Sequence, residues 1–176
     1  MHRLDEMERL GVVVLPKRDI EKLFPDEDEK TLEKSLQRMV KDGLLVKAAR
    51  GVYVNAAAAR RSPDRIIEEV AIAFRPGRLC YLSLESMLSE YGVISQIPLS
   101  HLTVMTTGAS GTHDTPYGVI EFTHTKRSRS DVLERSVYLN DRPLRIAKKW
   151  AAVQDLFRVG RNTDMIDLDE LEEDVS

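Results

Sequence analysis

The stretch "TLEKSLQRMVKDGLLVKAARGVYVN", residues 31–55, leaves the backbone few choices. In its first half Leu32, Leu36, Met39 and Val40 recur at i, i+4, i+7 and i+8, the spacing of one helix face. Gly43 stands where such a helix needs a residue free to turn left-handed. Beyond it, "LLVKAA" and "VYVN" are apolar runs too short for helices, separated by Arg50-Gly51. The pattern predicts a strand over 44–49, a turn at Arg50-Gly51 and a strand over 51–55. Val52 and Val54 are expected on one face of the second strand, with Tyr53 on the other.

The residues before this stretch extend the pattern. "LDEMERLG" reads as a helix through Leu4, Met7 and Leu10, stopped by Gly11, and "VVVL" as a short strand. "PKRDIEKLF" reads as a helix with Pro16 in its first turn and Ile20, Leu23 and Phe24 on one face. "PDEDE" is a turn rich in acids that favour a helix start. Three helices followed at once by a hairpin is the order of a winged helix-turn-helix.

Opposite the apolar face of the third helix, Lys30, Lys34, Arg38 and Lys41 form one basic stripe, with Glu27, Glu29 and Glu33 crowding its first half. Such charges suit a solvated face paired at i,i+4, and they equally suit a helix entering the major groove. In the second case Lys30, Thr31, Lys34, Ser35, Gln37 and Arg38 are the side chains that can meet base edges, with Lys41 continuing the stripe. Lys47 and Arg50 would then lie on the wing, against phosphate or in the minor groove. A winged helix also serves purely protein contacts, so the fold alone leaves both uses open.

"NAAAARRSPDR" reads as a linker, with Ser62 and Pro63 starting a new helix, "PDRIIEEVAIAFRPG", that buries Ile66, Ile67, Val70, Ala71 and Phe74. In "LCYLSLESMLSEYGV" a strand-like entry leads through Ser83 as N-cap into a helix closed by Gly92. "HLTVMTTG" and "GVIEFTHT" read as strands, with "TTGASG" as a hairpin turn between them, and "SVYLNDRPLRIA" as a second hairpin turning at Asn140-Asp141. "KKWAAVQDLFRVGRN" reads as a helix with Trp150, Val153, Leu156 and Phe157 as its packed face, and "DMIDLDELEEDV" as a short acidic amphipathic segment. The expectation is an α+β protein. A winged helix-turn-helix over 1–58 is followed by a small mixed α/β domain over 63–162 and an acidic tail over 163–176.

Charge follows this division. Residues 1–62 hold 13 Lys and Arg against 11 Asp and Glu, and residues 63–176 hold 13 against 18, so the net charge of −3 hides a basic-leaning front. A single cysteine, Cys80, excludes an internal disulfide and fits a reducing compartment. No apolar stretch approaches the roughly 18 residues of a membrane span, and the first residues carry Asp5, Glu6 and Glu8 rather than a secretory leader's apolar run. A soluble cytoplasmic protein is expected. His2, His101, His113 and His124 do not pair at metal-ligand spacing. Phosphate-binding glycine loops and nucleophile elbows are missing as well, so neither a cofactor nor an enzyme is expected. A nucleotide-processing site would require His101 and His124 to converge with an acid across paired strands.

"LQRMVKDGLLVKAARGVYVN" resembles the end of the N-terminal winged helix of AbiEi-type antitoxins of type IV toxin–antitoxin systems. "YLSLESMLSEYGVISQIP", "LTVMTTGASG", "YGVIEFTHTKR" and "DLFRVGRNTDMIDLDEL" resemble the domain that follows it. The resemblance runs from about residue 3 to residue 171 and lies in structural residues in order rather than in a catalytic signature. It implies an antitoxin whose N-terminal domain binds inverted repeats in its own promoter and represses the operon. It also implies that the rest of the chain counteracts a nucleotidyltransferase-like toxin. The alternative is a winged-helix interaction module, or a direct toxin inhibitor, without DNA binding.

Overall fold

A computed structural model describes residues 7, 9, 11–61, 65–94 and 100–166. The chain is mixed α and β and divides into two compact units, residues 1–74 with 115–117, and residues 75–114 with 118–176. The helix 66–74, read from the sequence as opening the second domain, falls in the first unit by this division.

In the first unit Met7 and Arg9 are helical, Gly11 turns at φ +73°, and the chain enters strand β1, Val14–Pro16. Helix α1, Lys17–Leu23, follows directly. Pro16 therefore closes a strand and takes the N-cap position with extended backbone, one residue earlier than the first-turn place expected of it. Helix α2, Glu29–Lys41, is bounded by chemistry readable in the sequence. The Asp28 carboxylate accepts from the Thr31 backbone N–H at 2.9 Å. At the far end Gly43 N–H donates to Val40 and Leu44 N–H to Met39, the paired bonds that finish a helix through a left-handed glycine.

The hairpin forms as β2, Leu45–Ala49, and β3, Val52–Asn55, around Arg50 and Gly51, the latter at φ +74°. β1 pairs antiparallel with β3 on its other edge, Leu15 opposite Tyr53, so the sheet order is β1-β3-β2. One face carries Leu15, Leu45 and Tyr53 against Ile20 of α1 and Leu32 and Leu36 of α2. Burying each of these large side chains stabilises by about 1.5–3 kcal/mol. β3 is covered on both faces: Tyr53 joins this core, and Val52, Val54 and Asn55 are buried as well. Helix α4, Ile66–Phe74, packs against β1 and β3 and closes the second face.

The alanine segment is a helix rather than a linker. α3, Ala56–Arg61, starts on the Asn55 side-chain oxygen, which accepts from the N–H groups of Ala57 (3.0 Å) and Ala58 (3.3 Å). Alanine has the highest helix propensity, and Ala58 and Ala59 are buried, so the segment packs. The expected cap and first-turn proline at Ser62 and Pro63 lie outside the described residues.

The second unit is built on a mixed sheet in the order β6-β7-β5-β4-β9-β8. Its strands are β4 (Cys80–Leu82), β5 (His101–Thr106), β6 (Gly111–Thr115), β7 (Gly118–His124), β8 (Ser136–Val137) and β9 (Arg145–Ala147). β5 and β7 run parallel, Val104 beside Phe122, so "TTGASG" is not a hairpin turn between them. It carries the chain past β7 to the edge strand β6, and the tight turn comes later, at Pro116-Tyr117. The hairpin expected at Asn140-Asp141 does form, with β8 antiparallel to β9.

Helix α5, Leu84–Glu90, packs on β5 and on α7, Lys149–Val159, while α6, Arg129–Arg135, is started by a reciprocal Ser128–Asp131 cap. The buried face of α7 is Ala151, Ala152, Asp155 and Leu156. Of the expected packing residues, Leu156 is buried and Val153 half-buried, but Trp150 and Phe157 are 46% and 54% exposed. Small residues on the inner face let α7 lie close to α5, and the large aromatic side chains turn outward.

Candidate nucleic-acid interface

With Leu32 and Leu36 committed to the core, helix geometry leaves a surface for Lys30, Lys34, Arg38 and Lys41, and all four are exposed. Gln37 lies within that stripe and is exposed too. Asp28 below and Gly43 above hold the helix ends, so the stripe is carried on a fixed rod of thirteen residues. Lys47 projects from β2 and Arg50 from the turn, both exposed. The turn is tied to α1 by the Lys17 N–H, which donates to the Gly51 carbonyl at 2.8 Å. The seven cations and amides of stripe and hairpin thus share one unit, and none of the six cations has an ion pair among the described residues.

Two further residues expected at base edges, Thr31 and Ser35, lie on the same helix. The Thr31 hydroxyl donates to Asp28 at 3.1 Å and so belongs to the helix cap. Ser35 is half-buried at the margin of the core-facing side. The acids beside the stripe are partly occupied. Glu29 accepts from Lys17 at 3.0 Å, and this bond with Glu29 and Glu21 nearby raises the Lys17 pKa above its ordinary value. Glu29 is thereby held at the start of α2, away from Arg38 and Lys41 at its end.

In the second unit the polar chemistry is turned inward. Asp155 is fully buried and accepts four hydrogen bonds: Tyr81 Oη at 3.0 Å, Ser83 Oγ at 2.9 Å, Arg127 Nη2 at 2.7 Å and Arg135 Nη2 at 3.0 Å. It thereby joins the end of β4 to the segment around α6. Burial, with the Asp155 carboxylate adjoining, drives the Tyr81 phenol far above its ordinary range, so it remains a donor. A second cluster centres on Arg161, which reaches Glu85 from Nε (3.0 Å) and Nη2 (3.1 Å) and Glu121 from Nη1, while Asn162 also donates to Glu85. His101 Nε2 faces Glu121 at 3.3 Å.

His101 and His124 do not converge. In the β5–β7 register His101 lies beside Val119 and His124 beside Thr106, at opposite ends of the pair, about 17 Å apart at the usual rise per strand residue. His124 instead meets the Gly108 carbonyl through Nδ1 at 2.7 Å. Cys80 Sγ contacts Thr106 Oγ1 at 3.2 Å, and burial pushes its thiol pKa up, away from a nucleophile's. Among the described residues no three His, Cys, Asp or Glu side chains gather as a metal would require, and no helix is long and apolar enough to cross a membrane.

Sequence reasoning missed both carboxylate clusters, since their members are separated by up to 77 positions. The one local signal was Asp155 itself, an acid one helical turn on from Ala151 and Ala152 and next to Leu156. No protein-family model matches the chain, and neither does any curated protein or solved structure.

Proposed function

We propose that the first unit is a winged helix that binds promoter DNA, with α2 in the major groove and the β2–β3 turn as its wing. The chain would act in the cytoplasm as an AbiEi-like antitoxin that represses its own operon and counteracts a nucleotidyltransferase-like toxin. One observation carries the DNA part: Lys30, Lys34, Arg38 and Lys41 are exposed along the α2 face opposite Leu32 and Leu36, with Lys47 and Arg50 exposed on the hairpin that follows. The order β1, α1, α2, β2, β3 with β1 as third strand is the arrangement a winged helix uses. The antitoxin part rests on the ordered resemblance of residues 81–98, 102–111, 117–127 and 155–171.

Lys30, Lys34, Lys41, Lys47 and Arg50 serve as phosphate contacts, which give affinity and register. Gln37 and Arg38 face outward at mid-helix and are the side chains to read bases. The test is binding to an inverted-repeat duplex from upstream of the reading frame, measured over a salt series. Lys34→Ala, Arg38→Ala and Arg50→Ala combined should weaken binding, relax discrimination at the base that Arg38 reads, and flatten the slope of log K against log salt by about 2, roughly 1 for each of the two phosphate contacts removed. Unchanged affinity in the triple variant would sink the assignment. For the antitoxin role, a nucleotidyltransferase-like reading frame is expected beside this one, and co-expression of the two should restore growth that the toxin alone arrests.

A further inference from the structure

Three segments that contain no acidic residue, 75–80, 106–111 and 124–127, meet at one end of the second unit's sheet. The strand register brings them together. Thr106 of β5 lies between Cys80 of β4 and His124 of β7. The parallel strands β5 and β7 both finish here, and β4, antiparallel to β5, starts here. In open α/β sheets the carboxyl ends of parallel strands are where ligands bind. With neighbouring strands about 4.8 Å apart, Cys80 and His124 are about 10 Å from each other. Arg78 stands two residues before Cys80 and Lys126 two residues after His124. Both are exposed, and neither has an ion pair among the described residues.

The loop after β5 is packed on two arginines. A Cβ on Gly108 would lie 3.0 Å from Arg75 Cδ and 3.2 Å from Arg78 Cγ, so glycine lets the loop approach both stems. Arg75 is a fixed positive charge. Its Nε donates to the Ala109 carbonyl at 3.0 Å, its guanidinium lies 4.1 Å from the Phe122 ring centroid, and its Nη2 stands 3.4 Å from His113 Nε2. His124 Nδ1 donates to the Gly108 carbonyl at 2.7 Å, which leaves Nε2 as the ring atom for a ligand. Ser110 Oγ accepts from the His124 backbone N–H at 2.9 Å and keeps its own proton to donate. We propose that this end of the sheet binds the terminal phosphate of a small phosphorylated molecule. Arg78 and Lys126 are its charged donors, with the Ser110 hydroxyl and the His124 ring beside them. A phosphate monoester carries about two negative charges and three oxygens that accept strongly, which two cations and a hydroxyl match. A diester, with one charge and two such oxygens, uses the site less fully. All of these groups belong to the second unit, so the site does not depend on the DNA reading of the first.

The probes are inorganic phosphate, glycerol 3-phosphate and dimethyl phosphate. Each is titrated into the full chain at constant ionic strength, set with sodium chloride, while the amide signals are followed by heteronuclear NMR. The signals of Gly108, Ser110 and His124 should shift and saturate with the first two probes. Arg78→Gln with Lys126→Gln should weaken that binding by at least about tenfold, as the loss of charge-assisted hydrogen bonds requires. Both positions are exposed, so the far-ultraviolet circular dichroism of this variant should match that of the unaltered chain. Lys34→Ala, Arg38→Ala and Arg50→Ala combined should leave phosphate binding as it was. Shifts that fail to saturate, or that sodium chloride alone reproduces, would overturn the proposal, and so would undiminished binding in the double glutamine variant. Dimethyl phosphate bound as tightly as glycerol 3-phosphate would overturn it too, since the patch would then suit the diester backbone of a nucleic acid.

Discussion

Asp155 is a single carboxylate on which two buried arginines depend. Arg127 and Arg135 have side chains only 17% and 8% exposed, and each reaches the same Oδ1. Taking away one partner of such a group leaves uncompensated charge in a poor solvent, at a cost of about 3–5 kcal/mol. Asp155→Ala should therefore lower the free energy of unfolding in urea by that amount, with Tyr81 and Ser83 losing their acceptor as well. A loss below 1 kcal/mol would mean that water reaches the arginines and that the cluster is less dry than its geometry implies. The second carboxylate cluster sets a pH dependence. Burial tends to raise the Glu121 pKa, but the Arg161 hydrogen bond and charge, with His101, outweigh it and bring it below its ordinary value of 4.5. A carboxyl depressed in the folded state contributes stability above its unfolded pKa and loses it as pH falls through the folded one. Urea midpoints should accordingly decline as pH drops below about 4.5, and Glu121→Gln should start lower at pH 7 and show less of that decline. Parallel pH profiles for the two proteins would remove Glu121 from the account.

At the scale of elements, helix α2 and the hairpin after it depend on the backbone at Gly43, which sits at φ +71° and supports both bonds that close the helix. A Cβ there would meet nothing within 4 Å, so the cost of Gly43→Ala is conformational and amounts to about 1–2 kcal/mol. The variant should unfold at lower urea while keeping the α2 face, so the DNA binding proposed for that face should survive under native conditions. Binding lost without a change in stability would mean that Gly43 approaches the DNA itself. This element was legible in the sequence because its signals are local: an acid cap, an apolar period of 3.6 and a glycine in sequence order. The basic stripe was legible for the same reason, since helix geometry puts Lys30, Lys34, Arg38 and Lys41 on one side once Leu32 and Leu36 are given the other. The Thr31 hydroxyl needed its cap partner to be seen, and Ser35 the edge of the core. The β5–β7 pairing was not legible, because alternation marks a strand and says nothing of its neighbour, and β6 is polar enough to read as loop. The outward turn of Trp150 and Phe157 escaped because size and spacing both favour burial, whereas the close approach of α5 to α7 selects Ala151 and Ala152. The alanine segment was readable in retrospect: Asn55 followed by the strongest helix former is a cap and a helix.

For the whole molecule, the distribution of charge bears on DNA binding beyond any single contact. If the first unit binds DNA as proposed, a net charge of −3 opposes the approach to that polyanion, and the opposition is concentrated in one segment. Removing residues 167–176 takes away six carboxylates and turns the net charge to +3 without touching α2 or the hairpin. Contacts to bases and phosphates would be the same before and after, so a change in affinity reports the long-range field alone. The truncated chain should bind random-sequence duplex more tightly than the full chain at low salt, chiefly through faster association. The gap should close as salt rises, because the Debye length shrinks from about 30 Å at 0.01 M to about 3 Å at 1 M. Discrimination between the inverted repeat and random sequence should stay the same on truncation, since a long-range attraction adds equally to both binding free energies. Fluorescence anisotropy with labelled duplexes at three salt concentrations measures both effects. If the two chains bind random duplex alike at every salt, the acidic segment exerts no field at the DNA-binding face. If the gap persists at high salt, the segment acts by direct contact with that face instead.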